Sequence, residues 1–490
     1  MTAQPHVRTP LASSSLTRGE LLALTVPGVV LLWLVVTRTL ASYVGTVDPE
    51  AALFLQPSEP NALVVHAEAE LLRLLGVSTS GGPADSDPVD VVDGEGFSEN
   101  RLGSISRLAK QALTHGFEAN KSGSAGEEQR VRGPALTDTQ LAPIRQFAIR
   151  SLQSRPVNAD AMSLMARLAD ARGQTGQTAQ LMETALRLSV RESYAAYWLF
   201  EKRLSAGDIA GALKYADILL RTRATSMGFV APKLAKLAQS SENRAQLTAL
   251  LATDPPWRKT FLVRLMALIT DARTPLFQFL ELKKTGAPPT HAELAIYLNF
   301  LAGKKFHDLA YYTWLQFQPT EMLGKLKPVK NGSFEQAPDG GPFDWTITSR
   351  SGVRASITPH PTKPGLNVLA IQFRANRAYE PSVRQTLLLP PGSYQLTGQF
   401  ASSLLGPRGL VWRVTCLNGT TLTTTDVMRG AAPGWNPFSA NFVVPQKDCR
   451  VQHLSVALDD SRATERFISG AIRFDDLSIE RNRSAALGQP

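Results

Sequence analysis

The hydrophobic period of the chain changes near Val329, and this restricts it to a composite fold. Before that point apolar residues recur at helical spacing. After it they alternate with polar ones between short turns. A chain of 490 residues is also too long for one core. The predicted fold class is multidomain α + β: an N-terminal transmembrane helix, a helical array and a C-terminal antiparallel β-sandwich or jelly roll.

The N-terminal boundary rests on an uncharged apolar run, Leu21 to Thr37, within "ELLALTVPGVVLLWLVVTRTLASYVG". Snorkelling of Arg38 extends it to Val44, enough for a span. Arg8 and Arg18 precede the run, and Asp48 and Glu50 follow it. The positive-inside rule then leaves 1–19 as a cytoplasmic tail, 20–44 as the anchor and the bulk outside. The expected location is a bacterial inner membrane, single-pass, with a periplasmic bulk. A cleaved signal peptide, cut at Ser42 after Thr39 and Ala41, is the weaker alternative. An oxidising compartment makes a disulfide the expected state of Cys416 and Cys449, the two cysteines. Both fall at strand ends. Two cysteines without a CxxC pair make no zinc site.

Residues 45–76 read as a first helical segment. Residues 77–134, rich in Gly, Ser and Asp, read as a flexible insertion around a short helix, Arg101 to Phe117. From 135 to 327 the pattern is helix–turn–helix. Gly173 and Gly207 lie 34 residues apart, each placed in a turn and followed by small residues in the next helix. This stretch resembles tetratricopeptide-like α-solenoids, most clearly over 137–225. The resemblance implies a protein partner on the repeats. The aromatic residues Tyr194, Tyr197, Trp198, Phe200 and Tyr215 read as core.

Residues 328–482 read as the β domain, and 483–490 as a disordered tail. "SVRQTLLLPPGSYQLTGQFAS" is strand, turn, strand. Asn418-Gly419 marks a hairpin, and three more alternating runs follow. The opening "NGSFE" (Asn331 to Glu335), the turn "GGPFDW", the strand "PPGSYQL" and the closing "IRFDDLSIE" resemble the β-sandwich carbohydrate-binding modules of polysaccharide-degrading enzymes. In that family the opening motif is the first strand and the closing motif pairs near it. The resemblance implies a structural calcium, Ca2+, held by Glu335, Asp475 or Asp476 and the backbone at Gly332 or Ser333. It also implies aromatic contacts to sugar. Trp435 in "PGWNPF" and Tyr379 in "NRAYEP" lie in loops and are the main candidates. Trp412 is a third, although its mid-strand place leans toward the core, where Trp345 is also expected.

Motifs of catalysis are missing. The seven histidines are dispersed without HExxH, no GxSxG elbow occurs, and phosphate and dinucleotide fingerprints are incomplete. Adjacent acids on a strand point to opposite faces, unlike a glycosidase pair. The net charge of +10 comes from scattered arginines without a basic block, which argues against nucleic acid. The whole resembles bacterial envelope proteins associated with exopolysaccharide or surface polysaccharide. That implies a non-catalytic scaffold with polysaccharide and protein partners at the inner membrane. A pure protein–protein adaptor is the alternative.

Overall fold

The computed structural model describes residues 18–45, 47–74, 137–324, 326–377, 380–459 and 467–482. The chain divides into two compact units, Met1–Ser226 and Met227–Pro490. The expected insertion at 77–134 and the tail at 483–490 lie outside the described residues.

The first unit is helical. Helix α1 (Arg18–Val44) is followed by α2 (Pro49–Leu55) and α3 (Pro60–Leu74). Among the described residues no helix is long and apolar enough to cross a membrane. The expected span over 20–44, and with it the single-pass inner-membrane placement and periplasmic bulk, is therefore corrected. The uncharged stretch Leu21–Thr37 rises about 26 Å at 1.5 Å per residue, short of a hydrocarbon core of about 30 Å, and Arg38 closes it. Its side chains Leu31, Leu32 and Trp33 are exposed. Its C-terminal end is held differently, with Ala41 buried and the chain at Gly45 against Ala62.

Among the described residues this unit goes on with the α-helices α4 (Asp138–Ser154), α5 (Ala159–Ala171), α6 (Thr175–Leu188), α7 (Ser193–Ser205) and α8 (Ile209–Thr222). Thr137 and Gln140 form a capping box at the start of α4. Gly173 and Gly207 close α5 and α7 at φ +72° and +76°, the left-handed region where a Cβ is penalised. Val64, Ala67 and Leu71 of α3 share a core with Leu141 and Ile144 of α4 and Leu164 of α5. Of the aromatic stretch, Phe200 and Tyr215 are buried, while Tyr194, Tyr197 and Trp198 are half-buried.

A polar network crosses this unit. Arg167 pairs with Glu68 at 3.0 Å and lies 3.9 Å over the Tyr194 ring. Glu192 caps α7 by accepting from the Ala195 N–H at 3.4 Å, and it accepts from the Ser163 hydroxyl at 3.0 Å. Burial, against the pull of Arg167, pushes the Glu192 carboxyl up to about 7, with Asp160 and Glu68 adding to the rise.

The second unit opens with α9 (Met227–Gln239), α10 (Arg244–Leu251), α11 (Arg258–Leu268), α12 (Thr274–Lys283), α13 (His291–Gly303), α14 (His307–Gln316) and α15 (Thr320–Leu323). A buried ion pair, Arg258 Nη2 to Glu293 Oε2 at 2.8 Å, ties α11 to α13. The same guanidinium donates to the carbonyls of Leu251, Ala287 and Pro288, which share its desolvation cost.

Two antiparallel five-stranded sheets follow. Their strands are β1 (Thr346–Thr348), β2 (Val353–Pro359), β3 (Asn367–Arg377), β4 (Ser382–Leu387), β5 (Gly392–Ser403), β6 (Leu410–Cys416), β7 (Thr421–Thr424), β8 (Ala431–Val444), β9 (Gln452–Leu458) and β10 (Phe467–Arg481). The first sheet runs β1-β4-β9-β6-β7 and the second β2-β3-β10-β5-β8. Their inward faces share one core, which includes Trp412 and Val414 of the first sheet and Leu369, Leu396 and Phe474 of the second. Gly419, at φ +94°, turns β6 into β7 at the expected Asn-Gly site.

The opening motif is not the expected strand. Residues 331–333 form a turn, with Asn331 and Phe334 at φ +50° and +56°. The Phe334 ring still enters the core, 5.2 Å from Trp345. Trp345 meets Trp412 at 5.7 Å, and Trp412 meets Phe474 at 5.3 Å. This column of rings joins the entry turn to both sheets. Cys416 and Cys449 form the expected disulfide, with Cα atoms 5.1 Å apart.

Two outcomes follow. The disulfide closes a loop over a sequence separation of 33, for which chain entropy gives about 3–4 kcal/mol. The Cys416→Ala/Cys449→Ala variant should lose about that much in denaturant unfolding, and an unchanged midpoint would contradict it. Because the folded Glu192 pKa is raised, its stabilising contribution is full below its ordinary value and is lost as pH rises through about 7. Glu192→Gln, which keeps the capping oxygen, should melt like the wild type near about pH 5 and higher than it near about pH 8.

Candidate functional site

The outward face of the second sheet gathers polar and aromatic groups that the strand pattern places there. In β10 the core side chains Ile472 and Phe474 alternate with Asp475, which therefore faces outward. A register shift between Asp475 and Ser478 then turns Leu477 back to the core, with Asp476 at φ +52°. Asp475 is thus buried at 6% exposure, while Asp476 is exposed. Gln399 of β5 sits opposite Asp475 on one side and Pro437 of β8 on the other. Its amide donates to Asp476 Oδ2 at 3.4 Å. Alternation along β8 puts Trp435 on the same side as Pro437, opposite to Phe438, which packs on the core.

His360, just after β2, meets this row from the other edge of the sheet. Its ring stacks on Trp435 at 5.1 Å and 24°. It is buried at 6% exposure. Its Nδ1 accepts from the Thr362 and Lys363 N–H groups at 3.1 and 3.0 Å. In the neutral ring the proton must then sit on Nε2, and that buried nitrogen has no hydrogen-bond partner. Burial pushes the Asp475 carboxyl up. The Asp476 N–H bond and His360 oppose the rise, while Asp476 and Glu335 add to it. A half-buried indole held by a stacked imidazole, with carboxylate and amide groups nearby, is what a polyhydroxylated ligand needs.

The other expected contacts are placed elsewhere. Trp412 is 0% exposed within the ring column and has no surface for a ligand. Trp345 is buried too, its Nε1 donating to the Asn331 carbonyl at 2.9 Å. Tyr379 lies outside the described residues. His360 was not singled out from the sequence. In "TPHPTKPG" it is one dispersed histidine, and its partner Trp435 is remote along the chain.

The residues expected to hold calcium are tied together by hydrogen bonds to backbone. Glu335 Oε2 accepts from the Asn367 N–H at 3.1 Å. The Gly332 carbonyl accepts from the Leu477 N–H at 3.0 Å. Asp475 Oδ1 accepts from the Asp476 N–H at 2.8 Å. Gly332 approaches β10 so closely that a Cβ would lie 1.9 Å from the Leu477 carbonyl oxygen, so only glycine fits. Ser333 is half-buried beside it. Among the described residues no group of three or more His, Cys, Asp or Glu side chains is gathered for a metal. Calcium takes six to eight oxygens, here drawn partly from backbone carbonyls, so the expected set of Glu335, Asp475 or Asp476 with the Gly332 or Ser333 backbone stays an expectation to be tested by titration.

No protein-family model matches the chain, and no curated protein does. Solved structures similar to part of it include the enzymatically active domain of bacteriophage CBA120 tailspike protein 4, at 14% identity and a TM-score of 0.23, covering 32% of this chain and 21% of that one. A CBM4 module is matched at 14% identity and a TM-score of 0.24, over 31% of this chain and 99% of its own. TmCBM61 in complex with β-1,4-galactotriose is matched at 13% identity and a TM-score of 0.22, over 32% and 99%. Carbohydrate-binding modules thus stand among the structural neighbours. The chain spans less than a quarter of the tailspike domain's length, and the description of the sandwich rests on its own strand pairing.

A calcium site filled at a hundredfold excess over its Kd would add about 2.7 kcal/mol and raise Tm by several degrees. Melting in calcium and in EDTA checks the expectation. A rise of that size in calcium would support the metal, and an equal Tm would remove it.

Proposed function

We propose that the C-terminal sandwich is a non-catalytic glycan-binding module and that Trp435 and His360 form its contact surface. The observation that carries the reading is the buried His360 ring. Its Nε2 donor is unused, and it is stacked against a half-exposed indole beside Asp475. The indole offers its uncovered face to the C–H side of a sugar, while the buried His360 ring stacks against its other face and fixes its orientation. Asp475 and Gln399 supply acceptors along the same row.

Helices extend over the first unit and the start of the second, and the proposal gives them no part in sugar contact. The polysaccharide association belongs to this same reading, with the glycan itself as the partner.

The test is a glycan array on the full chain, followed by titration of each hit. Trp435→Ala should weaken a hit at least tenfold, about 1.4 kcal/mol, with unchanged Tm, and no new reducing ends should form. Absence of any hit, or equal binding by the variant, would overturn the proposal.

A further inference from the structure

We propose a second binding site, for a compact oxyanion, on the outward face of the other sheet. The site lies in the second unit, where the turn between α13 and α14 faces β4 and β9. Lys305, His307, Arg384, Arg450 and His453 line one open pocket of about 810 Å³, within the range of small-molecule sites. The proposal is independent of the Trp435 surface.

Charge is unbalanced in this pocket. Lys305, Arg384 and Arg450 line it against a single lining acid, Asp448. Arg450 is already engaged, pairing with Asp308 at 3.3 Å. The Arg384 guanidinium has no hydrogen-bond or ion-pair partner among the described residues. His307 is half-buried, and neither ring nitrogen has a hydrogen-bond partner, although both are shielded from water. Such nitrogens are costly unless something accepts from them. His453 is fixed by a contact of its Nδ1 with the Thr386 hydroxyl at 3.3 Å. This leaves its Nε2 without a partner among the described residues.

The electrostatics point the same way. Burial pushes both imidazoles down. Arg384 and His307 add to the effect at His453. At His307, Lys305 adds to it and Asp308 opposes it. An anion entering the pocket would reverse these contributions. It would be held by the planar Arg384 fork and by the His453 Nε2–H, with His307 contributing charge when protonated. The shared chemistry is an oxyanion, either the carboxylate of an acidic sugar or a free sulfate or phosphate.

Isothermal titration of the full chain at low salt distinguishes the two sources, with sodium glucuronate, sulfate and phosphate as probes and glucose as the neutral control. Binding of glucuronate alone supports an acidic sugar. Binding of sulfate or phosphate without glucuronate supports a free inorganic ion. In either case Arg384→Gln should weaken binding about tenfold. Affinity should also be higher near about pH 5.5 than near about pH 7.5, because His307 and His453 then carry more charge. If Arg384→Gln lowers Tm, Arg450→Gln takes its place as the test. Binding no stronger than that of glucose, or unchanged affinity in a variant of wild-type Tm, overturns the site.

Discussion

Four buried rings, Phe334, Trp345, Trp412 and Phe474, run from the entry turn through both sheets, and the outer face of the sandwich depends on their packing. Each ring contributes about 1.5–3 kcal/mol by leaving water. The larger effect is on register. Once Phe474 is inside, Asp475 must be outside. Once Phe334 is inside, Glu335 leaves the turn beside Asn367. A one-residue slip in β10 would exchange the two faces and put a carboxylate in the core.

The clasp around Gly332 couples this register to the entry of the chain. Its carbonyl takes the Leu477 N–H at the bulge, and its missing Cβ permits the approach. The bulge in turn separates a buried Asp475 from an exposed Asp476. Two adjacent acids thereby acquire different environments, one part of the contact row and one hydrogen-bonded to Gln399. In the motif expected to hold a cation, Glu335 and Asp475 each accept from a backbone N–H.

Several elements were legible in the chain. The Asn418-Gly419 hairpin and the alternating strands β4 to β10 follow from local chemistry, and the disulfide from there being only two cysteines. Strands β2 and β3 were not read. Val368 and Ala370 face away from the core, yet they are buried at 0% and 4% exposure. Their run "VLAI" is apolar on both faces, so it lacks the alternation that marks a half-exposed strand. The apolar run of α1 was legible as a helix but misread as a span. Hydropathy registers how apolar a run is, and here its length before Arg38 is the limit.

At the site, Trp435 was legible as a contact aromatic but was placed in a loop, whereas it lies in strand β8; His360 and the pairing between them were not legible. Sequence by itself determined the change of period at Val329, the turn glycines and the class of each half, because these depend on neighbours a few residues apart; the cysteine pair was legible only because the chain holds just two. Tertiary structure alone decided which aromatic residues stay outside and which histidine meets Trp435. It also decided that the helices from Met227 onward belong with the sandwich. Those outcomes depend on contacts between residues remote in the chain, and no local spacing encodes a distance that only the closed core sets.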